Sequence, residues 1–120
     1  MKVPKIHDSE LRLCQILWEE GPCNSTKLVG LCKERIGWSK PTTYTVIRRL
    51  AERGILKNED TIVSMRYTKE QVQQSEIEML MERTFEGSLP MFIAAFCSCK
   101  KMSEEEIAQL EELIQNYKGE

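Results

Sequence analysis

The run GWSKPTTYTVIRRLAERG, residues 37–54, concentrates hydroxyls and cations in a chain whose formal net charge is −2. Lys40, Arg48, Arg49 and Arg53 stand there against a single acid, Glu52. Hydroxyls beside the free N–H groups of a helix start suit phosphate oxygens, and longer cations further along suit guanine edges or backbone phosphate. Little else in the chain could do chemistry. His7 is the sole histidine, and no Cys or Ser is placed to act as its nucleophile. Gly-rich phosphate loops and His-rich metal motifs are absent from the sequence. Glu104–Glu106 and Glu111-Glu112 read as one exposed helix face, not as paired catalytic carboxylates. Catalytic residues are therefore not expected. Cys97-Ser98-Cys99 has two readings. Two thiolates one residue apart suit a soft ion such as Cu(I) or Zn(II). The other reading carries more weight: in an apolar segment these thiols act as small apolar side chains, and no cofactor is needed.

Several short elements must position the cationic stretch. Asp8 or His7 caps a first helix with an apolar stripe of Leu11, Cys14, Ile16, Leu17 and Trp18, ended by Gly21-Pro22. Asn24 caps a second, with Leu28, Leu31, Cys32 and Ile36 at core spacing and Gly37 as its stop. A third runs roughly from Lys40 to Arg53, with Ser39 as cap, Pro41 in the first turn and Val46, Ile47 and Leu50 facing inward. ILKNEDTIVSMRYT then changes period and predicts a β-hairpin turning at Asn58 to Thr61. Cys14 and Cys32 fall at core positions, whereas Cys23 falls in a turn. Three helices and a hairpin make a winged helix-turn-helix, in which the third helix enters the major groove.

Charge divides along the chain. Residues 1–57 hold 11 Lys and Arg against 6 Asp and Glu, and residues 58–120 hold 6 against 13, so only the first part suits a polyanion. From Lys69 onward the pattern is helical and acidic, with Val72, Ile77, Leu80, Met81 and Phe85 on one side. SLPMFIAAFCSC is nearly all apolar, and Ser103-Glu104-Glu105-Glu106 opens a last helix bearing Ile107, Leu110, Leu113, Ile114 and Tyr117. These segments are too short for a separate core, which predicts a homodimer formed through residues 69–118. The fold class expected is mainly α with a small β-hairpin: a winged-helix DNA-binding domain over 1–68 and a helical dimerisation region over 69–120. The dimerisation residues expected are Ile77, Leu80, Met81, Phe85, Leu89, Phe92, Ile93, Phe96, Ile107, Leu110, Leu113 and Ile114. Five cysteines, an odd number, argue against a disulfide framework, and the polar start shows no export signal. No apolar run is long enough for membrane insertion, and together these features predict a cytoplasmic protein.

LWEEGP, GWSKPTTYTVIRRLAERGIL, MRYT, FEGSLPMFIAAF and MSEEEIAQLEELI, in this order and spacing, resemble the penicillinase repressor family of winged-helix transcriptional repressors (BlaI, MecI and the copper-responsive CopY branch). The likeness covers almost the whole chain. It implies a dimeric repressor of a bacterial operon, bound to a palindromic double-stranded operator before genes for β-lactam resistance or copper handling. In the penicillinase branch a membrane sensor protease pathway relieves repression by cleaving the repressor at an Asn-Phe pair, which Ala95-Phe96 matches here without the Asn. In the copper branch paired Cys-x-Cys units respond to metal, and Cys97/Cys99 supplies one such unit. Arg66-Tyr67 keeps the start of the family's wing motif, while Glu59 and Asp60 at the hairpin tip oppose phosphate. The wing is expected to touch DNA weakly, through Arg66 and Lys57.

The DNA-contact set expected is Ser39, Lys40, Thr42, Thr43, Tyr44, Thr45, Arg48, Arg49 and Arg66. Ser39 and Thr42 have an alternative role as caps, and Arg49 one as a partner of Glu52. The rival to the repressor reading is a winged-helix protein-interaction module that does not bind DNA, favoured by the low overall charge and the acidic hairpin tip.

Overall fold

The structure, a computed structural model, describes residues 2–119. Helix α1 (Asp8–Glu20) starts at His7, whose N–H donates to Glu10 Oε1 at 2.9 Å. Of the two caps expected, His7 holds the position. Leu13, Cys14, Ile16 and Leu17 are buried along one face, and Gly21 ends the helix at φ 78°. Strand β1 (Cys23–Asn24) leads directly into α2 (Ser25–Ile36), which Asn24 caps by accepting from Thr26 N at 2.7 Å. Gly37 sits at φ 69°, a left-handed conformation that a side chain disfavours. Its N–H reaches Lys33 O at 3.2 Å and that of Trp38 reaches Cys32 O at 3.3 Å, so the last carbonyls of α2 are satisfied and the chain turns. Helix α3 (Lys40–Glu52) begins after Ser39.

The hairpin consists of β2 (Leu56–Glu59) and β3 (Ile62–Met65), antiparallel with Glu59 opposite Ile62. Its turn is only Asp60 and Thr61, both at positive φ, whereas Asn58 and Glu59 belong to the strand. Left-handed conformations at both central residues match the right-handed twist of paired strands, but neither residue is the Gly that would have announced the turn. Cys23 is likewise not in a turn: it is buried in β1 and pairs with Val63, giving a three-stranded sheet of order β1-β3-β2.

Leu13, Leu17, Leu28, Leu50, Ile55, Leu56 and Val63 form the centre of one core, joined by Cys14, Cys32 and Ile47 and, from the amino-terminal segment, by Val3 and Ile6. Burying each of these larger side chains contributes roughly 1.5–3 kcal/mol. Cys14 lies so deep that burial pushes its thiol up to about 12, and burial also raises Cys23 and Cys32, which makes all three inert packing residues.

Helix α4 (Lys69–Phe85) opens with a reciprocal cap between Thr68 and Gln71, whose backbone N–H groups donate to each other's side chains at 2.8 and 3.1 Å. The chain forms two compact units that divide within α4, the first ending at Ile77 and the second beginning at Glu78. Val72 and Ser75 are buried in the first unit, so Val72 serves that core and not the apolar face further along α4. The second unit holds the rest of α4, α5 (Leu89–Cys99) and α6 (Glu104–Lys118), capped by Ser88 and Ser103. Phe85 meets Phe92 edge-on at 5.3 Å, and Phe92 lies 6.2 Å from Phe96. No described residue of α5 or α6 is buried.

Candidate nucleic-acid interface

Helix α3 divides its residues by the 3.6 period. Thr43, Val46, Ile47 and Leu50 recur at helical spacing and face the core. Pro41, Thr45 and Arg48 project the opposite way, flanked by Thr42 and Arg49 on one side and Tyr44 on the other. Expectation and structure part at Thr43. It is 0% exposed and its Oγ1 donates to Ser39 O at 3.1 Å, so its side chain holds the start of the helix and is closed to DNA. Adjacent threonines in sequence lie about 100° apart around a helix, and only one of the two can face outward here.

The other members of the set on α3 are exposed or half-exposed. Ser39 Oγ accepts from Thr42 N at 3.3 Å and donates to Thr42 Oγ1 at 3.0 Å, so Ser39 is the cap, Thr42 is the residue it holds, and both remain at the surface. Thr45 Oγ1 donates to Pro41 O at 2.9 Å, which orders the side chain on the outward face. Tyr44 is half-buried against the core. Lys40 is exposed and makes no ion pair among the described residues. Glu52 is approached by Arg48, not Arg49, at 3.9 Å and with both side chains about two-thirds exposed (67% and 68%). That contact is worth little in water and yields readily to a stronger anion. Arg49 is exposed and without a carboxylate partner among the described residues.

Arg53 departs from the cationic surface. Its guanidinium donates to Glu10 Oε2 at 2.7 Å, to Glu10 Oε1 at 2.6 Å and to Lys5 O at 2.7 Å. Glu10 is 5% exposed, and the Arg53 hydrogen bonds pull its carboxyl down to about 2 against the opposing effect of burial. Glu10 and Arg53 stand 43 residues apart, and no local pattern in the sequence couples them.

The wing is held at its tip. Ser25 N donates to Thr61 O at 2.8 Å and Asn24 Nδ2 donates to Thr61 Oγ1 at 3.2 Å, so one asparagine both caps α2 and clips the hairpin turn. Thr61 needs that support, because a β-branched residue at φ 65° is strained. Glu59 and Asp60 are exposed there, and Lys57 and Arg66 are exposed along the strands and just beyond them. The end of the wing is tied to α1 by Trp18, whose indole N–H donates to Tyr67 O at 2.9 Å. None of Asn24, Thr61 and Trp18 was legible as a support for the site, since each acts across the fold.

Apart from Ile62 and Ile77, the last residue of the first unit, every exposed large hydrophobic of the described chain lies in the second unit. Leu80, Leu89, Ile93, Ile107, Leu110, Leu113 and Ile114 are all exposed, and Met81, Phe85, Phe92 and Phe96 are partly covered. A groove of about 350 Å³ lies between α5 and α6, lined by Phe92, Phe96, Met102, Leu110 and Leu113. Cys97 and Cys99 both lie on α5, where a two-residue step turns the side chains about 200° apart, so the pair does not converge on one ion within a protomer. Groups of three or more ligand-type side chains positioned for a metal are absent among the described residues. Ala95-Phe96 lies in the middle of α5. No helix is long and apolar enough to cross a membrane among the described residues.

A helix with a cationic, hydroxyl-bearing outer face, seated on a small helical core and flanked by a clipped hairpin, defines a winged-helix DNA-binding protein. The profile of the penicillinase repressor family matches residues 6–116, and the chain belongs to that family, whose members are DNA-binding transcriptional repressors and not enzymes. The chain is 25% identical over 122 residues to the penicillinase repressor of Bacillus licheniformis, covering 98% of this chain and 95% of that one. It is 29% identical over 114 residues to an uncharacterised 16.5 kDa protein encoded in the ptsI 3′ region of Latilactobacillus sakei, covering 92% of this chain and 78% of that one. Among solved structures, the DNA-binding domain of the repressor BlaI aligns over 59% of this chain and 93% of its own, with a TM-score of 0.51 and 25% identity. The monomeric form of Bacillus licheniformis BlaI in complex with the blaP half-operator shares the fold over 58% of this chain and 90% of its own, at TM-score 0.51 and 23% identity.

Proposed function

We propose that this protein is a dimeric, sequence-specific repressor of a bacterial operon that reads a palindromic double-stranded operator with one copy of α3 in each half-site. The observation that carries this reading is the division of α3: Val46, Ile47 and Leu50 fasten it to the core, while Lys40, Thr42, Thr45, Arg48 and Arg49 stay at the surface. Ser39, Lys40 and Thr42 suit backbone phosphates at the start of a helix, and Thr45 and Tyr44 suit base edges or a thymine methyl. Arg48 and Arg49 reach guanine or phosphate, and Arg66 with Lys57 adds a weak contact from the wing. Dimerisation is assigned to the exposed apolar residues of the second unit, which need a second copy to leave water. Two half-sites then lie one or two helical turns apart, about 10 bp per turn.

The test is titration of duplex DNA from upstream of the protein's own gene at increasing salt. Binding that weakens steeply with salt and protects two symmetric half-sites is expected. Absence of binding at low salt would favour the protein-interaction reading, which the low overall charge and the acidic wing tip support. Release by a membrane sensor protease pathway, in a cytoplasmic setting, belongs to the same reading with Ala95-Phe96 as the candidate bond. Because that bond is helical, cleavage requires local opening of α5. Incubation with the activated sensor's protease and mass analysis of the fragments tests this arm, and an intact chain would remove it.

A further inference from the structure

Arg53 is the basic residue of the 37–54 stretch that the DNA-reading face does not absorb. It closes α3, its own N–H bonding to Arg49 O at 3.2 Å, one turn after the arginines of the outer face. Its side chain turns inward and back, and three donors meet three acceptors on two other parts of the chain: both carboxylate oxygens of Glu10 in α1, and the carbonyl of Lys5. Glu10 is committed from the other side too, accepting the N–H of His7. A planar fork matched to a buried carboxylate fixes distance and angle together, which a single contact does not.

We propose that Arg53 is a positioning residue of the DNA-reading helix, a clamp that sets the tilt of α3 against α1 and the amino-terminal segment, and not a phosphate contact. The inference rests on the repressor reading above. Its physical basis is competition: to reach a phosphate, Arg53 would abandon a nearly fully buried carboxylate, leaving an unpaired charge in the core. Arg48 and Arg49 follow α3 wherever the clamp holds it, so breaking the fork moves the contacts without removing any of them.

The full-length chain is titrated with the upstream duplex across a range of salt, well below its thermal midpoint. The wild-type chain serves as reference, and its failure to bind would refute the repressor reading and not the clamp. Arg53→Lys keeps the charge but loses the fork, and is expected to weaken binding about tenfold with an unchanged salt slope. Glu10→Gln, which cannot touch DNA, is expected to weaken it comparably, and the double variant no more than the worse single one. Unchanged helical content by circular dichroism ties these losses to the folded protein. The clamp is overturned if Arg53→Lys binds like wild type, or if Arg53→Gln lowers the salt slope by roughly 0.9, the signature of one lost phosphate contact. Should the variants unfold, the wild-type chain decides alone. On adding duplex, the Arg53 guanidinium N–H signals should hold their NMR positions and exchange protection while those of Arg48 and Arg49 shift, and movement of Arg53 instead overturns the proposal.

Discussion

At the scale of single residues, the site separates side chains that meet the solvent from neighbours of similar type that do not. Thr42, Thr43 and Thr45 carry the same hydroxyl, yet one accepts from the Ser39 cap, one is sealed in the core and one faces outward. Replacing Lys40 by Ala is expected to weaken every duplex alike and reduce the salt slope by roughly 0.9, whereas Thr45→Val should leave the slope and blur base preference. Binding isotherms on operator and scrambled duplex at several salt concentrations distinguish the two, and a Lys40→Ala slope equal to wild type would place that residue off the phosphates. Glu10 makes a separate prediction. Its carboxyl is held at about 2, below the ordinary 4.5, chiefly by the Arg53 hydrogen bond. Folding therefore favours the ionised form, and this stabilisation is complete above about pH 4.5 and lost as pH falls from there toward 2. The expected loss is on the order of 3 kcal/mol. Urea denaturation between pH 2 and 6 should show it in wild type and not in Glu10→Gln, and identical pH profiles would show that the pair contributes nothing.

At the scale of elements, α1, α2 and α3 were legible because their start and stop signals are local. Asn24, Ser39, Ser88 and Ser103 cap helices by bonding within three residues, and Gly37 follows its helix directly. Strand β1 was not legible: two residues carry no period, and their partner strand begins nearly 40 positions later. The hairpin was legible as a hairpin but not in its turn, for Asp60-Thr61 adopts a conformation that Asn-Gly would advertise. Thr61→Asn, which keeps a polar side chain and tolerates a left-handed backbone, should raise stability by roughly 1 kcal/mol in thermal or urea denaturation. Glu59 and Asp60 sit on that same turn, and neutralising both as Gln and Asn should strengthen binding to any duplex severalfold at low salt and not at high salt. Unchanged affinity would mean that the wing tip stays beyond a Debye length from the phosphates.

At the scale of the whole molecule, apolar surface is unevenly covered. Residues up to Ile77 bury Val3 through Val72 in a single core, while the second unit leaves Leu113 at 64% and Ile114 at 56% exposure. A helix as apolar as α5 with no buried residue is not at rest in water. If a second copy covers this surface, Leu113→Asp with Ile114→Asp should yield a monomer by sedimentation, retaining half-site binding but losing the affinity that comes from linking two α3 helices. A double variant that remains dimeric would move the interface elsewhere.

The order of helices and hairpin, the caps, the amphipathic face of α3 and the unburied apolar tail were all determined within the sequence, because each depends on residues a few positions apart. The tertiary structure alone decided that Thr43 points inward, that Arg53 belongs to Glu10, and that Asn24 joins the wing to α2. Those outcomes depend on which surfaces meet after distant segments collapse onto one core. Side-chain type is written in the chain, but the partner that satisfies it is chosen by packing.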